Sequence, residues 1–293
     1  MAGDDKPRHR SGYSREESEQ VEATCLTIAV TLGALMDDLC VVGGLVPSLI
    51  IDRDLGPDPT TGEFHPGTND LDVGLAIVLL DDERYTEISK RLRQEGFEPD
   101  ENAAGNPTPQ RWRLGKRKVT VDFLLPPLPG GKQGGQIQPL EGDFGALIAP
   151  GLQLAFDERQ QVELDGHTLA GDKVRRTIPV CGPATFVVLK ALAFADRGEP
   201  KDAYDLVYVL RRWPAGTADI AERLAAHAEN YPDVVGHALE ALKPDFEDAD
   251  RIGPQRAASF GFGEEDLDAA AADAHGYVDD FQRACRDLGL FAV

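Results

Sequence analysis

No run of apolar residues in this chain is long enough to cross a bilayer, and Met1 to Tyr13 lack the apolar middle of a signal peptide. The expectation is a cytoplasmic protein with no membrane span. Cysteine is scarce: Cys25, Cys40, Cys181 and Cys285 lie scattered among apolar neighbours without metal-ligand spacing, so they read as small core residues and not as a zinc site or a disulfide framework. The six histidines form no cluster, and no internal repeat is detectable. Positive charge is short as well, with 30 Lys and Arg against 51 Asp and Glu and a net charge of −21. That balance repels a polyanion such as RNA except where basic side chains gather locally.

What is present is ordinary folding material, 42% apolar over 293 residues, enough for two domains. The chain is organised around Val41-Val42-Gly43-Gly44 and Thr68-Asn69-Asp70-Leu71-Asp72-Val73. Glycine has no Cβ, so Gly43 and Gly44 permit a tight strand-to-helix turn whose amides stay open to an anion. From Leu71 the odd positions Leu71, Val73, Leu75, Ile77 and Leu79 are apolar, the period of a strand with one buried face. Asp70 and Asp72 then project together from the other face. Two carboxylates at this spacing suit Mg²⁺, or Mn²⁺, held jointly with substrate phosphates.

Taken in order, Ser14 and Glu17 form a capping box that opens a helix to about Met36, and a strand at Asp38 to Val42 leads to the glycine pair. Leu45 to Ile51 reads as a short helix, and the Pro/Gly-rich stretch from Asp52 to Gly67 as a loop long enough to carry function. Asp82 to Glu95 is a helix stopped by Gly96. Arg111 to Leu114 and Arg117 to Leu125 form a hairpin turning at Gly115-Lys116, and its second strand sets Asp122 opposite Val121 and Phe123 as a candidate third carboxylate. Arg111, Arg113, Lys116, Arg117 and Lys118 are a candidate RNA-binding strip; a solvated, charge-protected strand edge is the competing reading. Short strands follow near Leu152 to Phe156 and Val162 to Leu164. From Pro183 the pattern is helical: one helix stopped by Gly198, one over Lys201 to Arg212, then Ala218 to Asn230, Pro232 to Lys243 and Glu264 to Leu288. Lys190 sits within the apolar face of the first, where snorkelling competes with burial beside a carboxylate or phosphate. Asp202 fits the first turn of the second helix on dipole grounds alone.

Gly43-Gly44, Asn69-Asp70-Leu71-Asp72, Val119 to Leu124, and Leu189-Lys190-Ala191 through Arg197 to Lys201-Asp202-Ala203-Tyr204-Asp205-Leu206 together resemble the AbiEii-like nucleotidyltransferase toxins. These are relatives of the MenT enzymes within the DNA polymerase β-type nucleotidyltransferase superfamily. The resemblance spans roughly residues 38 to 213 and rests on the order and joint presence of the motifs. It implies an α+β chain, a small mixed-sheet nucleotidyltransferase domain and a helical domain that lends residues to the active-site cleft; the capping box and the change to helices divide the chain into a disordered N-terminus (1–13), the catalytic domain (14–176) and the helical domain (177–293). Asp70, Asp72 and Asp122 match the metal carboxylates, and Lys190 and Asp205 the lysine and aspartate of the later motif. Gly43, Gly44, Lys190, Arg197 and Asp202 are expected on the nucleotide, with Lys190 on the triphosphate and Asp205 balancing it. The first glycine motif departs from the superfamily's Gly-Ser, so backbone amides replace a hydroxyl there. The implied activity is Mg²⁺-dependent transfer of a nucleoside monophosphate from an NTP to an acceptor hydroxyl, at the 3′ end of tRNA, in a toxin paired with a cognate antitoxin. Two alternatives stand beside it: a small-molecule nucleotidyltransferase acting on aminoglycoside-like cations, which the acidic charge favours, and a catalytically silent nucleotide-binding module.

Overall fold

The computed structural model describes residues 7–59, 62–76, 82–128, 130–132, 134–262 and 266–291. In chain order its elements are α1 (Arg15–Leu32), β1 (Leu39–Val42), α2 (Arg53–Leu55), β2 (Asp70–Leu75), α3 (Asp82–Glu95), β3 (Phe97–Glu101), β4 (Pro107–Leu114) and β5 (Thr120–Leu125). There follow β6 (Ile137–Glu141), β7 (Phe144–Ile148), α4 (Leu154–Asp157), β8 (Arg159–His167) and β9 (Lys173–Cys181). Among the described residues six helices follow: α5 (Pro183–Arg197), α6 (Pro200–Arg212), α7 (Gly216–Ala228), α8 (Pro232–Asp245), α9 (Ile252–Phe262) and α10 (Leu267–Asp287). Among the described residues no helix is long and apolar enough to cross a membrane. The chain is α+β, a mixed sheet with a helical C-terminal part.

Two compact units share the chain. One holds Ser14–Val46 and Gly67–Cys181; the other holds residues 7–13, Pro47–Pro66 and the chain from Gly182 onward. This differs from a simple cut at residue 177. The sheet continues to Cys181 because Ile178 and Val180 are fully buried and Val41 pairs in parallel with Val180. The Pro47–Pro66 segment belongs with the helices. Residues 7–13, expected to be disordered, include a 3₁₀ turn at Arg10–Gly12, fixed because Arg10 reaches Glu63 at 2.6 Å and the Phe64 carbonyl at 3.0 Å.

In the sheet unit the strand order is β3-β4-β5-β2-β1-β9-β8, with β7 pairing with both β5 and β6. α1 starts where the capping box places it: Ser14 Oγ accepts from the Glu17 amide at 3.1 Å and donates to the Glu17 carboxylate. It ends at Gly33 rather than Met36, in a positive-φ cap that a 3₁₀ segment, Gly33–Asp38, continues. Alternation works as read on β2 and β5: Leu71, Val73 and Leu75, and Val121, Phe123 and Leu125, are all buried. The expected apolar positions Ile77 and Leu79 lie outside the described residues. Trp112, Phe123 and Phe144 meet edge to face, with centroids 5.1–6.4 Å apart, beneath β4 and β5. Leu152 to Phe156, read as a strand, is instead the turn that begins α4, with Leu152, Leu154 and Ala155 buried on one side.

In the helical unit α5 and α6 each begin with proline in the first turn, and α5 stops at Gly198 in the left-handed conformation. The stretch expected as one helix from Glu264 proves to be preceded by α9, and the last helix begins at Leu267; Glu264 itself lies outside the described residues.

Candidate active site

The sheet unit carries the acidic pair. β1 runs antiparallel to β2 with Val42 level with Asp72, and β5 runs parallel to β2 with Asp122 level with Asp72. Asp70, Asp72 and Asp122 therefore share the sheet face opposite the buried Leu71, Val73, Val121 and Phe123. Gly43 follows β1 with φ +73, and a Cβ built there would lie 1.9 Å from Asp72 Oδ2. The glycine is required twice, for its left-handed backbone and for the carboxylate that lies over its α-carbon. The turn it opens is a three-residue 3₁₀ segment, Gly43–Leu45, and a π-helical turn, Ser48–Asp52, follows, in place of the regular helix read from Leu45. Gly44 is buried within that turn. Asp70 is oriented by Thr68, whose hydroxyl donates to it at 2.7 Å.

Asp122, level with Asp72, is paired with an arginine. Arg111 on β4 faces it across the hairpin and holds both its oxygens, Nε to Oδ1 and Nη2 to Oδ2, each at 2.7 Å. Among the described residues no three His, Cys, Asp or Glu side chains converge as a closed cation site. The donor set that fits a hard divalent cation is the half-buried pair Asp70 and Asp72, beside which Asn69 Oδ1 is a buried oxygen without a hydrogen-bond partner among the described residues. The basic strip divides in the same way. Arg111 is turned to Asp122 and Arg113 to Asp100 at 3.0 Å, because opposite charges on neighbouring strands pair across the sheet. Lys116, Arg117 and Lys118 are exposed in the turn, with Arg117 donating to the Leu169 carbonyl at 2.9 Å.

The helical unit carries the second group. Lys190 on α5 is 7% exposed, and its ammonium lies 2.9 Å from Asp202 Oδ1 and 2.7 Å from Asp205 Oδ2. Of the two readings of Lys190, snorkelling or burial beside a carboxylate, the structure has burial beside carboxylates. Asp202 also takes Arg197 in a two-pronged contact at 2.6 and 2.9 Å, and Asp205 takes Lys201 at 2.8 Å. The result is an alternating row, Arg197–Asp202–Lys190–Asp205–Lys201, produced by the one-turn spacings on α6 and the facing α5. Arg197 is its half-exposed member, with 49% of its side chain accessible.

Burial alone would lower the affinity of Lys190 for its proton, but Asp202 and Asp205 together raise it above the ordinary lysine value. Lys201 shifts the other way, because burial acts on it with Asp205 as its main counter-charge. For Asp202, burial is overcome by Lys190 and Arg197, which hold its carboxyl down to about 2. Asp205, wholly buried, is likewise kept well below the usual range by Lys190, Lys201 and His65 against its own desolvation.

His65 was not legible as a site residue. Its Nε2 lies 2.9 Å from Asp205 Oδ1, its backbone amide donates to Asp52 Oδ2 at 2.9 Å, and Tyr208 donates to Asp52 Oδ1 at 2.5 Å. An ionised Asp205 can only accept, so Nε2 carries the proton of this contact. Burial lowers the basicity of the ring, with Asp205 pulling against it. Further along α6, Arg211 pairs with the buried Asp58 and Arg212 donates to the Gly56 carbonyl at 2.7 Å. The only signal in the sequence was the length of the Asp52 to Gly67 loop, since a lone histidine and scattered aspartates leave no periodicity.

An α+β chain that sets a strand-borne acidic pair over a glycine turn, followed by helices with a Lys-Arg-Lys-Asp-Asp row, has the fold of a nucleotidyltransferase. The family model described as nucleotidyl transferase AbiEii toxin, type IV toxin–antitoxin system, matches residues 70–285, and the chain belongs to that family. No curated protein matches the chain. The matched span begins at Asp70, so the glycine turn, Asp52 and His65 lie outside it.

Proposed function

We propose that the chain is a Mg²⁺-dependent nucleotidyltransferase toxin that moves a nucleoside monophosphate from an NTP to the 3′-terminal hydroxyl of an RNA, tRNA being the first candidate. The observation that carries this reading is the acidic pair Asp70 and Asp72 on one strand face, with Asp72 seated over Gly43. In the reaction the acceptor oxygen bonds to the α-phosphorus, the bond from that phosphorus to the β-bridging oxygen breaks, and pyrophosphate leaves. Mg²⁺, or Mn²⁺, held by Asp70 and Asp72 would neutralise charge on the triphosphate. Gly43 keeps Asp72 in place, and Thr68 fixes Asp70. Asp122, level with Asp72, must exchange Arg111 for the acceptor hydroxyl before it can take that proton. Within the helical unit the half-exposed Arg197 carries a charge suited to phosphate oxygens, and Lys190 holds Asp202 and Asp205 in register.

Lys116, Arg117 and Lys118 are the residues that would meet RNA phosphates. Contacts of this kind act over about 8 Å at physiological salt, so a local strip works within an acidic whole. The test incubates the protein with each labelled NTP and separate RNA, protein and small-molecule fractions, over a range of salt. Incorporation into RNA should weaken with salt, with a slope of roughly −0.7 per phosphate contacted, and Lys116→Ala, Arg117→Ala and Lys118→Ala should flatten it. A second reading, transfer to a cationic small molecule, is favoured by the neutralisation of Arg111 and Arg113 by Asp122 and Asp100. Label in the small-molecule fraction and none in RNA would establish it instead. A cognate antitoxin is the partner that the family implies.

A further inference from the structure

The Pro47–Pro66 segment is gripped by one face of α6. Asp205, Tyr208 and Arg212, spaced i, i+3 and i+7, contact His65, Asp52 and Gly56 in turn, and Arg211 adds Asp58. At the His65 end, the ring lies against Tyr208, with centroids 4.9 Å apart, and is stacked at 5.9 Å on Tyr204. Asp205 is 0% exposed, so it touches no substrate where it stands; what it does, it does by placing Lys190 and Lys201. Its Oδ2 receives both ammoniums, whereas Oδ1 receives His65 as well as Lys201. Without a donor from the His65 side, the carboxylate is free to turn toward Lys201, and Lys190, then Asp202, then Arg197 lose their register in sequence.

We infer that His65 is a positioning residue for nucleotide transfer, acting through Asp205 to hold the Lys190–Asp202–Arg197 row in its working geometry. This rests on the nucleotidyltransferase reading above. It requires one property of the ring, an N–H donor at the Nε2 position, and that requirement separates it from a packing role.

Three variants make the distinction. In His65→Gln the amide nitrogen reaches the place of Nε2; in His65→Asn it falls short, at the place of Nδ1; His65→Leu fills the space beside Tyr204 and Tyr208 without a donor. Each is assayed for kcat and for KM of the NTP with labelled nucleotide, and for melting temperature, and ring ¹⁵N spectra of the wild-type protein are recorded between pH 6 and 8. The expected result is Nε2–H in the wild type, His65→Gln within about threefold of wild-type kcat/KM, and His65→Asn and His65→Leu lower by about 10- to 100-fold, the scale of a hydrogen bond to a charged group. The loss should appear at temperatures where every variant is folded. Comparable activity of Gln, Asn and Leu variants, or a ring protonated at Nδ1 alone, overturns the inference while an active wild type leaves the reading above intact. A wild type that labels nothing overturns that reading and this inference with it.

Discussion

Gly43→Ala tests whether the seat of Asp72 is used in the reaction. An alanine at φ +73 stands in the left-handed region, which costs an L-residue about 1–2 kcal/mol. Its Cβ would also meet Asp72 at 1.9 Å from Oδ2, 2.7 Å from Cγ and 2.9 Å from Cβ, closer than atoms approach, so the carboxylate must swing away or the turn must shift. Forcing a methyl into a filled site adds about 1–3 kcal/mol. The sum, roughly 2–5 kcal/mol, lowers the melting temperature by roughly 4–20 °C at about 2–4 °C per kcal/mol for a domain of this size. Turnover below that temperature should fall about 100-fold or more, equivalent to at least about 2.7 kcal/mol of transition-state stabilisation. The double variant with Asp72→Ala isolates the clash with the carboxylate, because it removes the 1.9 and 2.7 Å contacts and leaves the backbone strain and the 2.9 Å contact with Cβ. Placing Gly43→Ala in that background should cost about 1–3 kcal/mol less stability than in the wild type. Equal costs in the two backgrounds, or a Gly43→Ala protein whose turnover stays within threefold of wild type, would refute the reasoning.

Asp70→Asn and Asp72→Asn should each abolish transfer with melting temperatures within a few degrees of wild type, since both side chains are half-exposed on the sheet face; near-normal turnover in Mg²⁺ would show the site to be misassigned. Lys190→Ala leaves Asp202 and Asp205 buried with one counter-ion fewer and should lose about 3–5 kcal/mol in denaturant unfolding, and a loss under 1 kcal/mol would mean that the ammonium is not structurally engaged. Stability should also fall on acidification. The folded-state pKa of Asp202, about 2, lies below the unfolded value near 3.9, so its contribution, about 2–3 kcal/mol, is present above pH 4 and is lost as pH drops toward 2. Asp202→Asn should remove that part of the acid dependence, as read from melting temperature between pH 2 and 6.

The strands and helices that could be read in advance are those whose local pattern and tertiary role agree. Ser14 and Glu17, the alternation through Leu71 and Phe123, and Pro183 with Gly198 each mark an element by themselves, and the structure puts the element there. Asp70 and Asp72 followed from alternation alone. What escaped notice was set by partners distant in the sequence. Nothing near Asp122 announces that Arg111 will sit level with it, because that depends on the register of a hairpin whose turn runs longer than two residues. Lys190 reads as an amphipathic side chain until α6 brings Asp202 and Asp205 against it. His65 and Asp52 stand in a stretch with no periodicity, and only their shared attachment to α6 gives them a role. The boundary near residue 177 rests on the helical pattern that begins at Pro183, whereas β9 carries the sheet on to Cys181 with Ile178 and Val180 buried in it.

The chain leaves the sheet unit after Val46, returns at Gly67 and leaves again after Cys181, and this threading has a consequence for biosynthesis. On the ribosome, Pro47–Pro66 emerges long before α6, so Asp52, Asp58 and His65 wait without Tyr208, Arg211 and Asp205 while more than a hundred further residues are made. A nascent chain arrested in that interval presents the segment to proteases, and residues 182–293 expressed alone would lack the strand of chain that satisfies α6. Supplying residues 47–66 as a separate peptide to that fragment should restore resistance to proteolysis, a complementation that a C-terminal domain built from one continuous stretch would not need.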